Sequence, residues 1–118
     1  MSAAAQRPWP TELRLDEGKT KLTVSYDSGE RFILPAEYLR VESPSAEVQG
    51  HRPEEKKTVE GKQNVTITAV EPVGNYAVRL VFDDGHDSGL YAWDYLFDLG
   101  RELDSRWLAY LIAHGRDE

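Results

Sequence analysis

Residues 80–93 read LVFDDGHDSGLYAW. Val78, Leu80 and Phe82 alternate with Arg79, Val81 and Asp83, the period of two that marks a strand with one buried face. Asp84-Gly85 follows, a dipeptide that supplies the positive φ angles of a tight turn. A second short strand then leads through Tyr91 into a helix entry at Trp93. The turn so predicted holds His86 at a sheet edge among Asp83, Asp84, Asp87 and Ser88. That density of short oxygen ligands around one imidazole makes this turn the best candidate site in the chain. It carries no complete catalytic or metal motif.

The same period recurs upstream. Val65, Ile67 and Ala69 alternate with threonines, and Pro72-Val73-Gly74-Asn75 turns that strand into residues 76–82, giving a long antiparallel pair at the sheet centre. Nearer the N-terminus, Leu13 and Leu15 alternate with charged residues, and Leu22, Val24 and Tyr26 alternate with Lys21, Thr23 and Ser25. Asp27-Ser28-Gly29-Glu30 turns again, and Arg31-Phe32-Ile33-Leu34 is a third short strand ended by Pro35, so a β-meander is the economical reading. Proline at the head of Pro35-Ala36-Glu37-Tyr38-Leu39-Arg40 suits a first helical turn. Residues 1–10, MSAAAQRPWP, are expected as a flexible arm. The segment from Ser43 to His51 reads as a surface loop in which Ser43 or Ser45 caps a short turn. Residues 52–62, RPEEKKTVEGK, have no apolar period and read as a mobile connection.

After Tyr91 the period changes to about 3.6, with Trp93, Leu96, Phe97, Leu103, Trp107, Tyr110, Leu111 and His114 at helical spacing. Gly100 is expected to end one helix and Asp104 to cap a second of about ten residues. Strands followed by helices define an α+β fold. The expectation is a mainly antiparallel sheet of about five to six strands packed against C-terminal helices, with Trp93, Leu96, Phe97, Trp107 and Leu111 buried between them. One domain over residues 11–118 accounts for the whole pattern.

Composition narrows the function classes. The chain has no cysteine, which excludes disulfides, thiol nucleophiles and thiolate metal sites. A net charge of −7 gives no long-range attraction for nucleic acid or for anionic lipid. No stretch approaches the roughly 20 apolar residues that span a bilayer, and residues 1–10 lack the apolar run of a signal peptide. A cytoplasmic protein with a protein partner, and with neither nucleic acid nor membrane as partner, is the expectation.

Taken together, LPAEYLRVESPSAEVQGH (residues 34–51) and DDGHDSGLYAW (residues 83–93) resemble the gamma-butyrobetaine-hydroxylase-like N-terminal domain family, over nearly the whole chain. The resemblance implies a small α+β domain found alone in bacteria, attached to Mrp-type iron–sulfur carrier ATPases, or leading the catalytic domain of carnitine-synthesis dioxygenases. In those dioxygenases the similar domain holds a structural zinc through three cysteines that follow a Leu-Arg and through a histidine in an Asp-Gly-His turn. Leu39-Arg40 and Asp84-Gly85-His86 match those two signatures. Ser43, Ser45 and the Glu47-Val48 region stand where the thiolates would be, and a serine hydroxyl is a poor zinc ligand at neutral pH.

Three readings of the site follow. In the first, the protein is a non-catalytic accessory or interaction module, linked through the resemblance to metallocofactor assembly. Arg40, Ser43, Ser45, Asp84, Gly85, Ser88 and Trp93 are then its motif residues, and His86 and His51 hydrogen-bond to carboxylates or backbone. In the alternative, His86 and His51 ligate one divalent metal ion, with Glu47 or Asp87 completing a nitrogen and oxygen set. An enzyme reading is the weakest, because no nucleophile or phosphate cradle accompanies the histidine. His114, near a helix end, needs only the helix dipole to explain it. Whichever reading holds, the Ser43 to His51 loop is expected beside the turn at residues 83–88.

Overall fold

The computed structural model describes residues 9–44 and 62–113. In chain order its elements are β1 (Pro10–Leu15), β2 (Lys21–Tyr26), β3 (Arg31–Pro35), α1 (Ala36–Val41), β4 (Ile67–Val73), β5 (Ala77–Phe82), β6 (Leu90–Ala92), α2 (Trp93–Arg101) and α3 (Leu103–Ala113). The α+β class and the six strands agree with the sequence pattern, but the strands form two three-stranded antiparallel sheets, β1-β2-β3 and β4-β5-β6, rather than one. The reason lies at Pro35. A proline cannot donate to a further ladder, and here it opens α1, which carries the chain off the edge of the first sheet. When the chain returns, Ile67 N–H donates to Lys19 O (2.9 Å) at the edge of that sheet, and β4 pairs with β5 instead.

Alternation decides what each sheet buries. In the first sheet Leu22, Val24 and Leu34 are fully buried, and Leu13, Leu15 and Phe32 pack against them. In the second, Ile67, Val78, Leu80, Phe82 and Tyr91 enter the same core. A bulge between Ile67 and Ala69 shifts the register of β4, so Val70, not Ala69, faces that core. Asp16 organises the β1–β2 turn by accepting hydrogen bonds from the backbone of Thr20 (2.8 Å) and Lys21 (3.0 Å). The expected arm contributes to the fold at its end, since Trp9 exchanges hydrogen bonds with Asp27 and Pro10 opens β1. Residues 1–8 and most of the 52–62 connection lie outside the described residues.

The helices close the core. Leu96, Phe97 and Leu99 of α2 and Tyr38 and Leu39 of α1 are buried in it, and Tyr38 donates to Leu99 O at 2.7 Å. Helix α3 packs on α1 through Val41, Tyr110 and Leu111, and Tyr110 donates to the buried Glu37 carboxylate at 2.7 Å. Leu96, Phe97 and Leu111 are buried as expected, whereas Trp93 and Trp107 are only partly covered. Trp93 sits at the first position of α2, where its indole reaches out to Asn75 O (2.8 Å).

Two helix boundaries differ from the sequence reading. Asp104 is already inside α3 and is not its cap. Gly100 does not end α2, which continues to Arg101. Its role is close approach: a Cβ there would lie 2.2 Å from Phe32 Cδ2, and Phe32 is fixed by edge contacts with Tyr26 and Phe97. Replacing a helical glycine by alanine ordinarily stabilises by about 0.5–1 kcal/mol. Gly100→Ala is expected to reverse that sign and destabilise by about 1–3 kcal/mol through overpacking, read from urea unfolding midpoints. A gain in stability would mean that β3 and α2 are not in close contact at this point.

Candidate functional site

The turn after β5 is built by its own side chains. Gly85 N–H donates to Phe82 O (3.0 Å), and Gly85 has φ +90°, a conformation that an L-residue rarely adopts. Asp84 Oδ1 accepts the His86 backbone N–H two residues on (3.0 Å), as short carboxylates do in turns. Phe82 N–H donates to His86 O (3.0 Å), which returns the chain toward β6. Asp83 ties the turn to the approach of β4: its N–H donates to Thr66 O (3.0 Å), and its Oδ1 accepts the Thr66 N–H (3.1 Å).

Three side chains from elsewhere converge on this turn. Arg40, in the last turn of α1, donates from Nε to Asp84 Oδ2 (2.9 Å), and Lys62, ahead of β4, reaches the same oxygen at 2.6 Å. Ser43, just past α1, is fully buried, with its Oγ 2.9 Å from Nε2 of the nearly buried His86. The packing leaves no slack there, because a Cβ on Gly89 would lie 2.5 Å from Ser43 Oγ. Beneath it, the buried Tyr91 hydroxyl donates to Leu39 O at 2.5 Å. Arg40 and Ser43 precede the 45–61 segment and Lys62 follows it. The turn therefore clasps both stems of the long connection between α1 and β4.

Electrostatics reinforce the clasp. Burial alone would raise the Asp84 pKa, but the hydrogen bonds from Lys62, the His86 amide and Arg40 outweigh it and hold the carboxyl down at about 2. Arg40 Nη1 is buried with no hydrogen-bond partner among the described residues, and the guanidinium is held to Asp84 through Nε. Beside the clasp lies an open depression of about 280 Å³, lined by Lys62, Asn64, Val65, Asp83 and Asp84. Among the described residues it is open to solvent, with a mixed polar and apolar lining.

Of the residues singled out from sequence, Arg40, Ser43, Asp84, Gly85 and His86 come together. Asp87 and Ser88 are exposed, and the Asp87 charge acts on Arg79 of β5. Trp93 stands apart at the far end of β6. Ser45, Glu47, His51 and His114 lie outside the described residues. Among the described residues no group of three or more histidine, aspartate or glutamate side chains is arranged to hold a metal ion. Lys62 was not marked by the sequence: it stands in a mixed-charge run with Lys56 and Lys57, and nothing local distinguishes it.

The family model described as gamma-butyrobetaine hydroxylase-like, N-terminal, matches residues 13–97, and the chain belongs to that family. No curated protein matches it. Among solved structures, one NMR solution structure is 45% identical with a TM-score of 0.77, covering 95% of this chain and 90% of that one. Another NMR solution structure is 47% identical with a TM-score of 0.74, covering 99% and 91%. A crystal structure from Acidithiobacillus ferrooxidans, of a protein of unknown function in the DUF971 family, is 36% identical with a TM-score of 0.67, covering 80% and 98%. No described helix is long and apolar enough to cross a membrane.

Two measurements test the clasp. Ser43→Ala removes the Oγ that meets His86 in a buried place, and it is expected to lower unfolding stability by about 1–2 kcal/mol in urea titrations. An unchanged midpoint would show that the bond adds nothing. The Asp84 carboxyl is held below its usual value of about 3.9, so its contribution is complete above that pH and is lost as pH falls through about 2. Thermal melts of wild type and Asp84→Asn should differ at pH 5 and converge between about pH 4 and 2. A constant difference across that range would mean that Asp84 does not carry the acid sensitivity.

Proposed function

We propose that this chain is a non-catalytic interaction domain that acts through a protein partner in metallocofactor assembly. The observation that carries the first half is the Ser43–His86 hydrogen bond in a closed site. The one imidazole among the described residues is bonded to a fully buried serine, and Gly89 packs against that hydroxyl. A general base must meet the proton that it removes from a substrate, and the burial of Ser43 and His86 against each other supports a structural role for the pair. Asp84 is likewise engaged by two cations and a backbone amide, the arrangement of a fastener. The second half rests on the resemblance to domains attached to iron–sulfur carrier ATPases.

This reading has a direct test. Isotope-labelled full-length protein is titrated with a purified Mrp-type iron–sulfur carrier ATPase, and amide shifts are followed by NMR. Saturable shifts on a contiguous surface are expected, and their absence would remove the metallocofactor setting. In parallel, the protein is equilibrated with zinc or ferrous iron and desalted. One equivalent of metal retained by wild type and lost in both His86→Ala and His51→Ala would replace the interaction reading by a metal site of His86, His51, Glu47 and Asp87.

A further inference from the structure

The two sheets treat their outer faces in opposite ways. In the first sheet the positions that alternate with the core are Glu12, Arg14, Thr23, Ser25 and Arg31, with Ile33 as the single large apolar side chain. That is the ordinary wet face of an antiparallel sheet. In the second sheet the register lines up Val73, Ala77 and Ala92 in one row, Glu71, Arg79 and Leu90 in the next, and Ala69 with Val81 in the third. Six of these eight side chains are apolar. Five of the six, all but the buried Ala77, lie outside the core and outside the side chains packed against it. Leu90 is 45% exposed, Ala77 is already buried, and the other four are half-buried. The bulge in β4 contributes, because it turns Ala69 outward and Val70 inward.

We propose that this outer face, β4-β5-β6, is the docking surface of the domain, and that its occupant is an amphipathic helix of a partner protein with basic residues flanking its apolar stripe. The proposal rests on the reading of the chain as an interaction domain and deepens it. An apolar sheet face is covered in folded proteins by a helix or by a second sheet, and charge here selects between a second copy and a basic partner. The polar groups on the face are Glu71, paired with Arg79 through both Nε (2.9 Å) and Nη2, with the Asp87 charge acting on the same Arg79. Two carboxylates against one guanidinium leave an acidic margin on a chain of net charge −7, which disfavours a second copy and favours a basic partner. The small, half-buried side chains Ala69 and Ala92 let a helix approach closely, and a strand of six residues spans about 20 Å, the length of about 14 helical residues.

The test uses the labelled full-length protein and a synthetic peptide of about 14 residues with a leucine stripe flanked by lysines. A second peptide carries glutamate at each lysine position. With the lysine peptide, saturable amide shifts are expected at Ala69, Val73, Val81 and Leu90 and not at Thr23, Ser25 or Ile33 of the first sheet. Leu90→Ser and Val81→Ser should each weaken binding about tenfold with unchanged melting, Asp87→Asn should weaken it less, and Ile33→Ser should leave it unaltered. Where one variant fails to melt cooperatively, the other and the wild-type shift map decide. No shift, shifts spread over both sheets, or equal binding of the glutamate peptide would overturn the proposal. So would concentration-dependent shifts on the same face without peptide, which identify a second copy as the occupant. Carrier ATPase binding that maps elsewhere would remove this face while leaving the interaction reading in place.

Discussion

The structure depends on one carboxylate. Asp84 uses one oxygen to shape its own turn through the His86 amide and the other to hold Arg40 and Lys62, residues 44 and 22 positions away in sequence. An exposed ion pair contributes little, because solvent competes and two long side chains must be ordered. This one differs in being shared and partly shielded: the Arg40 and Asp84 side chains are 12% and 20% exposed. Its larger effect is on topology. The connection between α1 and β4 is long, and closing a long loop costs conformational entropy that grows slowly with its length. Fixing its two stems to a single turn meets that cost at the stems, whatever the residues between them do.

Sequence carried the local structure well because local structure has a period. The β5 alternation, the Asp84-Gly85 turn, β6 and the entry into α2 follow one another as the pattern of residues 78–93 implies. What it did not carry were features set by distant contacts. The division into two sheets depends on where β4 lands after a segment without pattern, and the inward turn of Val70 depends on a bulge that a strict period of two cannot express. Gly100 reads as a helix end from its type alone, yet its position is set by the Phe32 ring from another element. Lys62 was invisible for the same reason: its partner lies 22 residues away. Of the candidate site, the convergence of Ser43 on the His86 turn was legible only through the family signatures.

That convergence has a physical lesson. In the zinc site that the resemblance implies for related domains, the same two segments would meet through thiolate and imidazole bonds to one ion. Here Ser43 and His86 meet through one hydrogen bond, and the surroundings do the rest. Gly89 allows the close approach, Tyr91 ties its hydroxyl to Leu39 O, and Asp84 holds the turn from below. A metal bond is strong enough to impose geometry on its neighbours. A serine–histidine bond is worth about 1 kcal/mol net and must be placed by geometry that already exists.

The source of that geometry includes a helix beyond the family match, which ends at residue 97, inside α2. Helix α3 starts after it and packs along α1, the helix whose last turn supplies Arg40 and whose exit supplies Ser43. Three contacts fix the alignment: Tyr110 to the Glu37 carboxylate, Trp107 edge-on to Tyr38 at 6.0 Å, and Arg106 Nη1 to Glu42 Oε1 at 3.0 Å. Glu42 is the residue next to Ser43, and its backbone carbonyl also accepts the Tyr95 hydroxyl at 2.5 Å. A helix of six residues has little stability of its own, so α1 takes its position from what packs against it. The C-terminal helix thus acts on the clasp through α1, holding the end of α1 where Arg40 can meet Asp84 and Ser43 can meet His86.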